Sequence, residues 1–220
     1  MRSHRGTPRT GPGRALSLTL AGVALTVTAG VVACQSRPDG DFGAPAVTAL
    51  ASTAPAPRVP IQDGALPRAT ADGPTRLRIP ALELDAAVDA VGIDEATGDF
   101  AVPPSVDEVG WYRYGPGFAA TAGSIVVAGH VDSAAEGEGA FFHLGRLDAG
   151  DTVTLTGPDG RERAFEVIAR ERYRKTAVPL EKYFARDGAP RLTLITCGGP
   201  FDPKTRHYRD NVVVTAAARS

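Results

Sequence analysis

Apolar and polar positions alternate with a period of two through most of the chain beyond Arg76, in short runs separated by turn residues. This is the pattern of half-buried strands with tight connections. Leu77-Arg78-Ile79-Pro80 leads into Ala81 to Val91, and Gly92, Asp94, Gly98 and Asp99 then mark a turn before Val102-Pro103-Pro104. Glu108 to Arg113 holds the only tryptophan, Trp111, which reads as a packing residue. Ser124-Ile125-Val126-Val127-Ala128 is a β-branched run that ends on Gly129-His130-Val131-Asp132. Phe141 to Leu147 predicts a single short helix, with Phe142, Leu144 and Leu147 roughly on one side. Asp151 to Leu155 and Ala164 to Ile168 flank Gly157-Pro158-Asp159-Gly160, a hairpin signal. After Arg172 to Lys175 comes a helical turn opened by Pro179 and running through Phe184, then the runs Arg191 to Ile195 and Asn211 to Val214. There is no internal repeat. About eight strands with at most two small helices argue for an all-β protein, a closed or nearly closed barrel rather than an α/β sheet.

The amino-terminal third follows other rules. Residues 1–14 carry Arg2, Arg5, Arg9 and Arg14 and no acid, whereas 15–33 carry no charge. That uncharged stretch approaches the ~20 residues a bilayer-crossing helix needs. A basic flank ahead of it holds the amino terminus in the cytoplasm and places the rest of the chain outside. The reading favoured here is a single-pass membrane anchor. A cleaved signal peptide is the second reading. A third rests on Val31-Val32-Ala33-Cys34, which loosely resembles the lipobox of bacterial lipoprotein precursors. All three export the domain. Residues 34–75 are rich in Pro, Ala, Gly, Ser and Thr, a composition that predicts an extended spacer without a core. The folded domain is expected over 76–220.

Composition narrows the function. A formal net charge of -1 over 220 residues, with no basic stripe set among aromatics, gives no electrostatic footprint for nucleic acid. The two cysteines, Cys34 and Cys197, lie in such different regions that a disulfide framework is implausible, which leaves Cys197 a free thiol.

Three candidate residues fall at the edges of strand runs. The run Arg191-Leu192-Thr193-Leu194-Ile195-Thr196 ends on Cys197, after which Gly198, Gly199 and Pro200 are expected to stop the strand and leave room for a substrate carbonyl. Taken alone, Cys197 reads first as a buried small hydrophobe. As a nucleophile it would act as the thiolate and need a basic or cationic neighbour. His130 suits that role and also that of the acid protonating a departing amine; its other reading is a satisfied histidine at a barrel edge. Arg209, permanently charged, suits an oxyanion or a substrate backbone. Arg206 competes with it. His4, His143 and His207 end no strand as cleanly. Asp132 suits orienting His130 or binding metal, but His-x-Asp without a third ligand is a weak metal signal. Glu136 and Glu138 read as solvated loop residues. No metal set and no cofactor are expected.

Thr193-Leu194-Ile195-Thr196-Cys197 resembles the Thr-Leu-x-Thr-Cys signature of sortases, the cysteine transpeptidases of bacterial surfaces. Gly129-His130-Val131-Asp132 and Tyr208-Arg209-Asp210-Asn211-Val212-Val213-Val214 are similar to the family's histidine and arginine segments, in the family's order. The resemblance covers Arg76 to Ala218. Cys197-Gly198-Gly199-Pro200-Phe201-Asp202 is most similar to the class F group of high-GC Gram-positive bacteria. The resemblance implies an eight-stranded sortase-type β-barrel with one or two short helices. It also implies Cys197 as nucleophile, His130 as acid/base and Arg209 as the positioning cation. The implied reaction cuts a secreted protein's Leu-Pro-x-Thr-Gly-like sorting signal after Thr. A thioacyl enzyme then passes the protein to an amine on a peptidoglycan precursor (lipid II) or another amine acceptor, and a monomer is expected. Thr196 is either a donor near the oxyanion or only a good strand residue. Arg172 to Ala189 occupies the place of the substrate-recognition loop, where Val178, Pro179 and Leu180 suit an apolar Leu-Pro motif.

Two other classes fit less well. An L,D-transpeptidase-like enzyme has Ser-x-Gly-Cys with its histidine closer upstream. A non-catalytic exported barrel that binds cell-wall material would leave Cys197 incidental. The absence of a metal set predicts that EDTA leaves turnover unchanged in a peptide-cleavage assay; a large loss would return attention to Asp132, Glu136 and Glu138.

Overall fold

The structure is a computed structural model that describes residues 40–51, 71–93 and 100–219. In chain order it contains helix α1 (Ala44–Ala49), then strands β1 (Arg76–Ile79), β2 (Leu84–Val91), β3 (Val109–Tyr112), β4 (Ser124–Gly129), β5 (Asp132–Ser133), β6 (Gly137–Glu138), β7 (Thr152–Thr156) and β8 (Glu162–Arg174). Helix α2 (Leu180–Tyr183) and the long strands β9 (Arg191–Asp202) and β10 (His207–Ala218) follow. Eight strands close into a barrel in the order β1-β2-β3-β4-β9-β10-β8-β7, while β5 and β6 form a separate two-stranded ribbon. The all-β, eight-stranded expectation is met, and the 157–160 turn is the hairpin between β7 and β8. The basic tail, the uncharged stretch 15–33 and Cys34 lie outside the described residues. Among the described residues no helix is long and apolar enough to cross a membrane.

The barrel interior follows from the alternation. Leu77, Ile79, Val109, Trp111, Ile125, Val127, Val153, Leu155, Phe165, Leu192, Leu194 and Val214 point inward and form one buried cluster. At the rate of about 25 cal/mol per Å² of apolar surface, each such side chain stabilises the fold by roughly 1.5–3 kcal/mol. Trp111 is a core residue whose indole N–H donates to Pro116 O at 3.0 Å, so its one polar atom is satisfied. Where only the inner face is covered, burial alternates, as along β7. Every residue of β3 and β4 is buried, because their outer face is covered as well. There Tyr112, Val126, Ala169, Tyr183, Phe184 and Val213 form a second apolar layer with Val47 of α1. A continuous apolar run such as Ser124–Ala128 is what double coverage requires.

Two sequence expectations need correction. Phe141 to Leu147 is not an α-helix; it is a chain of turns ending in a single 3-10 turn at Leu144–Arg146, in which Phe141, Leu144 and Leu147 are all buried. Burial on this spacing ties the segment to the barrel end without a second helical turn. Nor is the stretch 34–75 uniformly a spacer. Phe42 pairs with Arg170 of β8 through N–H···O bonds of 2.9 and 3.1 Å, and its ring packs under the Arg170 guanidinium, 5.1 Å away. Arg170, only 3% exposed, donates to Leu147 O at 2.6 Å and to Gly40 O at 3.4 Å. Pro at the start of α1 and the single buried Val47 dock the helix. Composition concealed this because one apolar side chain and a backbone bridge suffice to hold the arm.

Gly43 makes the docking possible. Its φ of +82° lies in the left-handed region, and a Cβ there would stand 2.1 Å from Ile168 O. Gly43→Ala is expected to lift the arm from β8 and lower stability by about 1–3 kcal/mol, read as a fall in thermal midpoint; an unchanged midpoint would mean that the arm contributes nothing to the fold.

Candidate active site

Strand β4 pairs with β9 in parallel, from Ser124 opposite Arg191 through Ala128 opposite Ile195. One residue further along, the Thr196 hydroxyl donates to Gly129 O at 2.8 Å. The next residues on the two chains are His130 and Cys197. Parallel pairing thus brings to one rim two residues that are far apart in sequence. Thr196 is buried and its hydroxyl is committed to Gly129, so it acts as a strand clamp at the level of the site. Of the two readings for Thr196, this bond supports the strand residue for its side chain.

Cys197 is a free, half-buried thiol. The expectation that Gly198, Gly199 and Pro200 end the strand is corrected: β9 runs on to Asp202. Its barrel partner β4 stops at Gly129, so past the rim β9 continues only as a ribbon with β10. In that ribbon Asn211 faces Cys197, Asp210 faces Gly198, and pairing resumes at Tyr208 opposite Phe201. Arg209 falls in the irregularity between, opposite Gly199 and Pro200, the two β9 residues of a bulge. Gly199 allows the bulge, since its φ is +73° and a Cβ would meet Asp210 Oδ2 at 2.2 Å. The Arg209 side chain is 53% exposed, with Asp202 Oδ2 at 3.8 Å as a loose partner. Arg206 lies in the exposed turn between β9 and β10, farther along the ribbon from Cys197.

His130 is held from the other side. Its Nε2 lies 2.9 Å from Pro103 O. A carbonyl only accepts, so Nε2 carries a proton and Nδ1 is the nitrogen left for exchange with a reacting group. The segment after His130 folds into the β5–β6 ribbon, with Phe141 N donating to His130 O at 3.0 Å and Gly139 N donating to Val131 O at 2.9 Å. His143 lies outside this arrangement, 3.6 Å from Glu138, and His207 is exposed at the first residue of β10. Among the described residues no group of three His, Cys, Asp or Glu side chains is placed to hold a metal ion.

The connection from β8 to β9, residues 175–190, leaves the barrel beside Asp210, the partner of Arg174, and returns over the outer apolar layer. Of the residues expected to bind substrate here, Val178 is partly buried in that layer, Pro179 opens α2, and Leu180 is 45% exposed. The connection is anchored by a polar cluster that sequence reasoning missed. Glu171 of β8 accepts from Lys182 Nζ at 2.9 and 3.0 Å, from Tyr173 OH at 2.8 Å and from Tyr183 OH at 2.7 Å. Burial pushes the Glu171 carboxyl up, but these donors together hold it below its ordinary range. Burial, reinforced by Tyr173 and Glu171, raises the Tyr183 phenol so that it remains a donor. The α1 arm adds a last tie, Ala189 N to Leu50 O at 2.9 Å.

Residues 77–219 match the Sortase domain family model. The chain belongs to the sortase family. Solved structures with the same fold include sortase C1 of Group B Streptococcus pilus island 1, with 16% identity, a TM-score of 0.50, and coverage of 66% of this chain and 64% of that one. Another is a lid mutant of sortase A from Corynebacterium diphtheriae, with 20% identity, a TM-score of 0.51, and coverage of 69% and 73%. Sortase C1 from Streptococcus suis shows 16% identity, a TM-score of 0.51, and coverage of 67% and 73%. The likeness at these identities is one of fold, and this sortase spans 64% to 73% of their lengths. Comparison with curated proteins finds no match.

The Glu171 cluster has a pH signature. A carboxyl lowered in the folded state contributes stability that is complete above its unfolded pKa and is lost as pH falls through the lower folded value. The thermal midpoint should therefore hold at neutral pH and fall below the ordinary glutamate range, and Glu171→Gln should flatten part of that fall. An identical acid limb in the variant would exclude Glu171 as a source.

Proposed function

We propose that this sortase is a membrane-anchored cysteine transpeptidase that cleaves a Leu-Pro-x-Thr-Gly-like sorting signal between Thr and Gly and transfers the new carboxyl end to a cell-wall amine. The observation that carries the reading is the adjacency of the β4 and β9 ends, which gives His130 and Cys197 one rim with Arg209 on the neighbouring bulge.

The chemistry follows from those positions. The Cys197 thiol passes its proton to Nδ1 of His130, the thiolate attacks the Thr carbonyl carbon, and the carbonyl oxygen takes the negative charge. Arg209, exposed and loosely paired, lies on the strand beside the sulfur and is the cation available to that oxyanion or to the peptide backbone. Collapse breaks the C–N bond to Gly, and His130 gives its Nδ1 proton to the departing amine. The thioacyl enzyme is then attacked by an acceptor amine. His130 takes up the proton, the C–S bond breaks and the thiolate returns. No cofactor enters this sequence.

The finer assignments rest on sequence. The basic tail 1–14 and the uncharged stretch 15–33 support an anchor with the amino terminus cytoplasmic and the catalytic domain outside. Gly198-Gly199-Pro200-Phe201-Asp202 supports placement in class F. Exposed Leu180, beside Val178 and Pro179 on the segment leaving the site's rim, supports contact with the Leu-Pro part of the signal. The acceptor class that fits is a peptidoglycan-precursor amine such as that of lipid II.

The test mixes the full chain with a quenched Leu-Pro-Ala-Thr-Gly peptide and an amine nucleophile and reads products by mass spectrometry. Cleavage between Thr and Gly with amine capture is expected, falling by at least ~1,000-fold in Cys197→Ala. An intact peptide with the wild-type chain would overturn the sorting motif, and cleavage that survives Cys197→Ala would overturn the nucleophile.

A further inference from the structure

Two ribbons project past the barrel rim on either side of the site. One is β5–β6, which continues from His130; the other is the outer half of β9–β10, which carries Arg209. Packing in the barrel interior reaches neither; the β5–β6 ribbon is held on one side by Val106, whose N–H donates to Glu136 Oε2 at 3.4 Å and whose carbonyl accepts from Ala140 N at 2.8 Å, and a direct bond joins the two ribbons across the rim. Asp132 opens β5, two residues after His130, and Tyr208 is the residue before Arg209. The Tyr208 hydroxyl donates to Asp132 Oδ2. Phe201, 51% exposed and in register with Tyr208, sets its ring edge-on against the tyrosine ring with centroids 5.2 Å apart, which fixes the direction of the hydroxyl.

We propose that Asp132 and Tyr208 are positioning residues, a clamp that ties the His130 segment to the Arg209 bulge across the rim from Cys197. The bond to Asp132, helped by partial burial and by the Asp132 and Cys197 charges, pushes the Tyr208 phenol up to about 12, so it stays protonated and donating in the working range of a surface enzyme. The clamp explains the Asp of the His-x-Asp motif without a metal. It also explains why an aromatic hydroxyl stands directly before the cation. Neither residue reacts; each acts through its chain neighbour. The inference rests on the transpeptidase reading for its turnover test but not for its thiol test.

Four variants of the full chain decide it: Tyr208→Phe, Asp132→Ala, the double variant, and Asp132→Asn, which keeps an acceptor. With the sorting-signal peptide, Tyr208→Phe and Asp132→Ala should each lose about tenfold in kcat with KM within about twofold. The double variant should lose no more than either single one, because both remove the same bond. Asp132→Asn should recover most of the loss. Independently of any peptide, iodoacetamide alkylation at pH 7, mapped to Cys197 by peptide mass, should slow about threefold or more in Tyr208→Phe and Asp132→Ala as the imidazole moves away from the thiol. Losses that multiply in the double variant would overturn the clamp, as would a lowered thermal midpoint with kcat and alkylation unchanged. If the wild-type chain leaves the peptide intact, the sorting motif fails, and the alkylation rates alone still decide for or against the clamp.

Discussion

The parallel pairing of β4 with β9 is the constraint on which the site depends. Parallel neighbours end at the same edge of a sheet, so the residue after one strand lies beside its counterpart on the other whatever the chain does between them. Here the chain makes the ribbon, two more barrel strands and the segment that carries α2 between His130 and Cys197. Were β9 reversed, its first residue, Arg191, would stand at the histidine's end and the thiol would lie at the far rim. The antiparallel β9–β10 pair then adds the third group, because the start of β10 returns beside the end of β9. The Thr196–Gly129 bond, of the kind that contributes about 1 kcal/mol net, closes the parallel pair at the level where the chemistry sits.

That pairing imposes a cost on the outside of the barrel. Strands buried on both faces need an outer cover, and this chain supplies it from the α1 arm and from the segment between β8 and β9. The segment that leads away from the site's rim is therefore also part of the fold's second apolar layer. Tyr183 and Phe184 are fixed in that layer and Lys182 is fixed to Glu171, whereas Leu180 remains at the surface. The proposed recognition residues and the packing residues thus lie within a few positions of one another, and exchanging the whole segment would remove Tyr183 and Phe184 from the outer face of β3 and β4. Leu180, 45% exposed and outside that layer, is a position where the side chain can change without uncovering that face.

Local signals made the barrel legible. Period-two alternation marked β1, β7 and β9, and the Pro-Asp-Gly turn marked the β7–β8 hairpin, because each depends on neighbours in sequence. The ordered Thr-Leu-Ile-Thr-Cys, Gly-His and Tyr-Arg segments pointed to the family now shown by the match over 77–219. What escaped depends on partners distant in sequence. Gly198-Gly199-Pro200 reads as a stop by composition, yet β10 supplies a partner that carries the ladder past it with a bulge. The arm at 40–51 has too few apolar residues to announce itself, because its anchors are a backbone bridge and the buried Arg170 of another strand. Thr196 looked like a possible substrate donor because its acceptor, Gly129 O, is revealed only by strand register. Glu171 and Lys182 gave no signal of their own, since nothing in a single sequence says that two tyrosine hydroxyls converge on the same carboxylate.

Inside the barrel and beyond its rim, different forces set positions. Leu192, Leu194, Val127 and Trp111 hold the strands through non-directional burial, which tolerates small shifts as long as volume is filled. Acyl transfer does not tolerate them, because a displacement of about 1 Å at the reacting atoms can cost on the order of a hundredfold in rate. The reacting groups stand just past the last packed layer, where a substrate can reach them and apolar packing cannot. Directional bonds take over at that boundary. Pro103 O orients the His130 ring, Gly129 O receives Thr196, and Asp132 receives Tyr208. The first and last of these bonds join segments that no strand pairing connects, the middle one extends the β4–β9 pairing by a residue, and each lies within two residues of His130, Cys197 or Arg209. An exposed site on a rigid barrel is thus built by placing its polar bonds where its hydrophobic core ends.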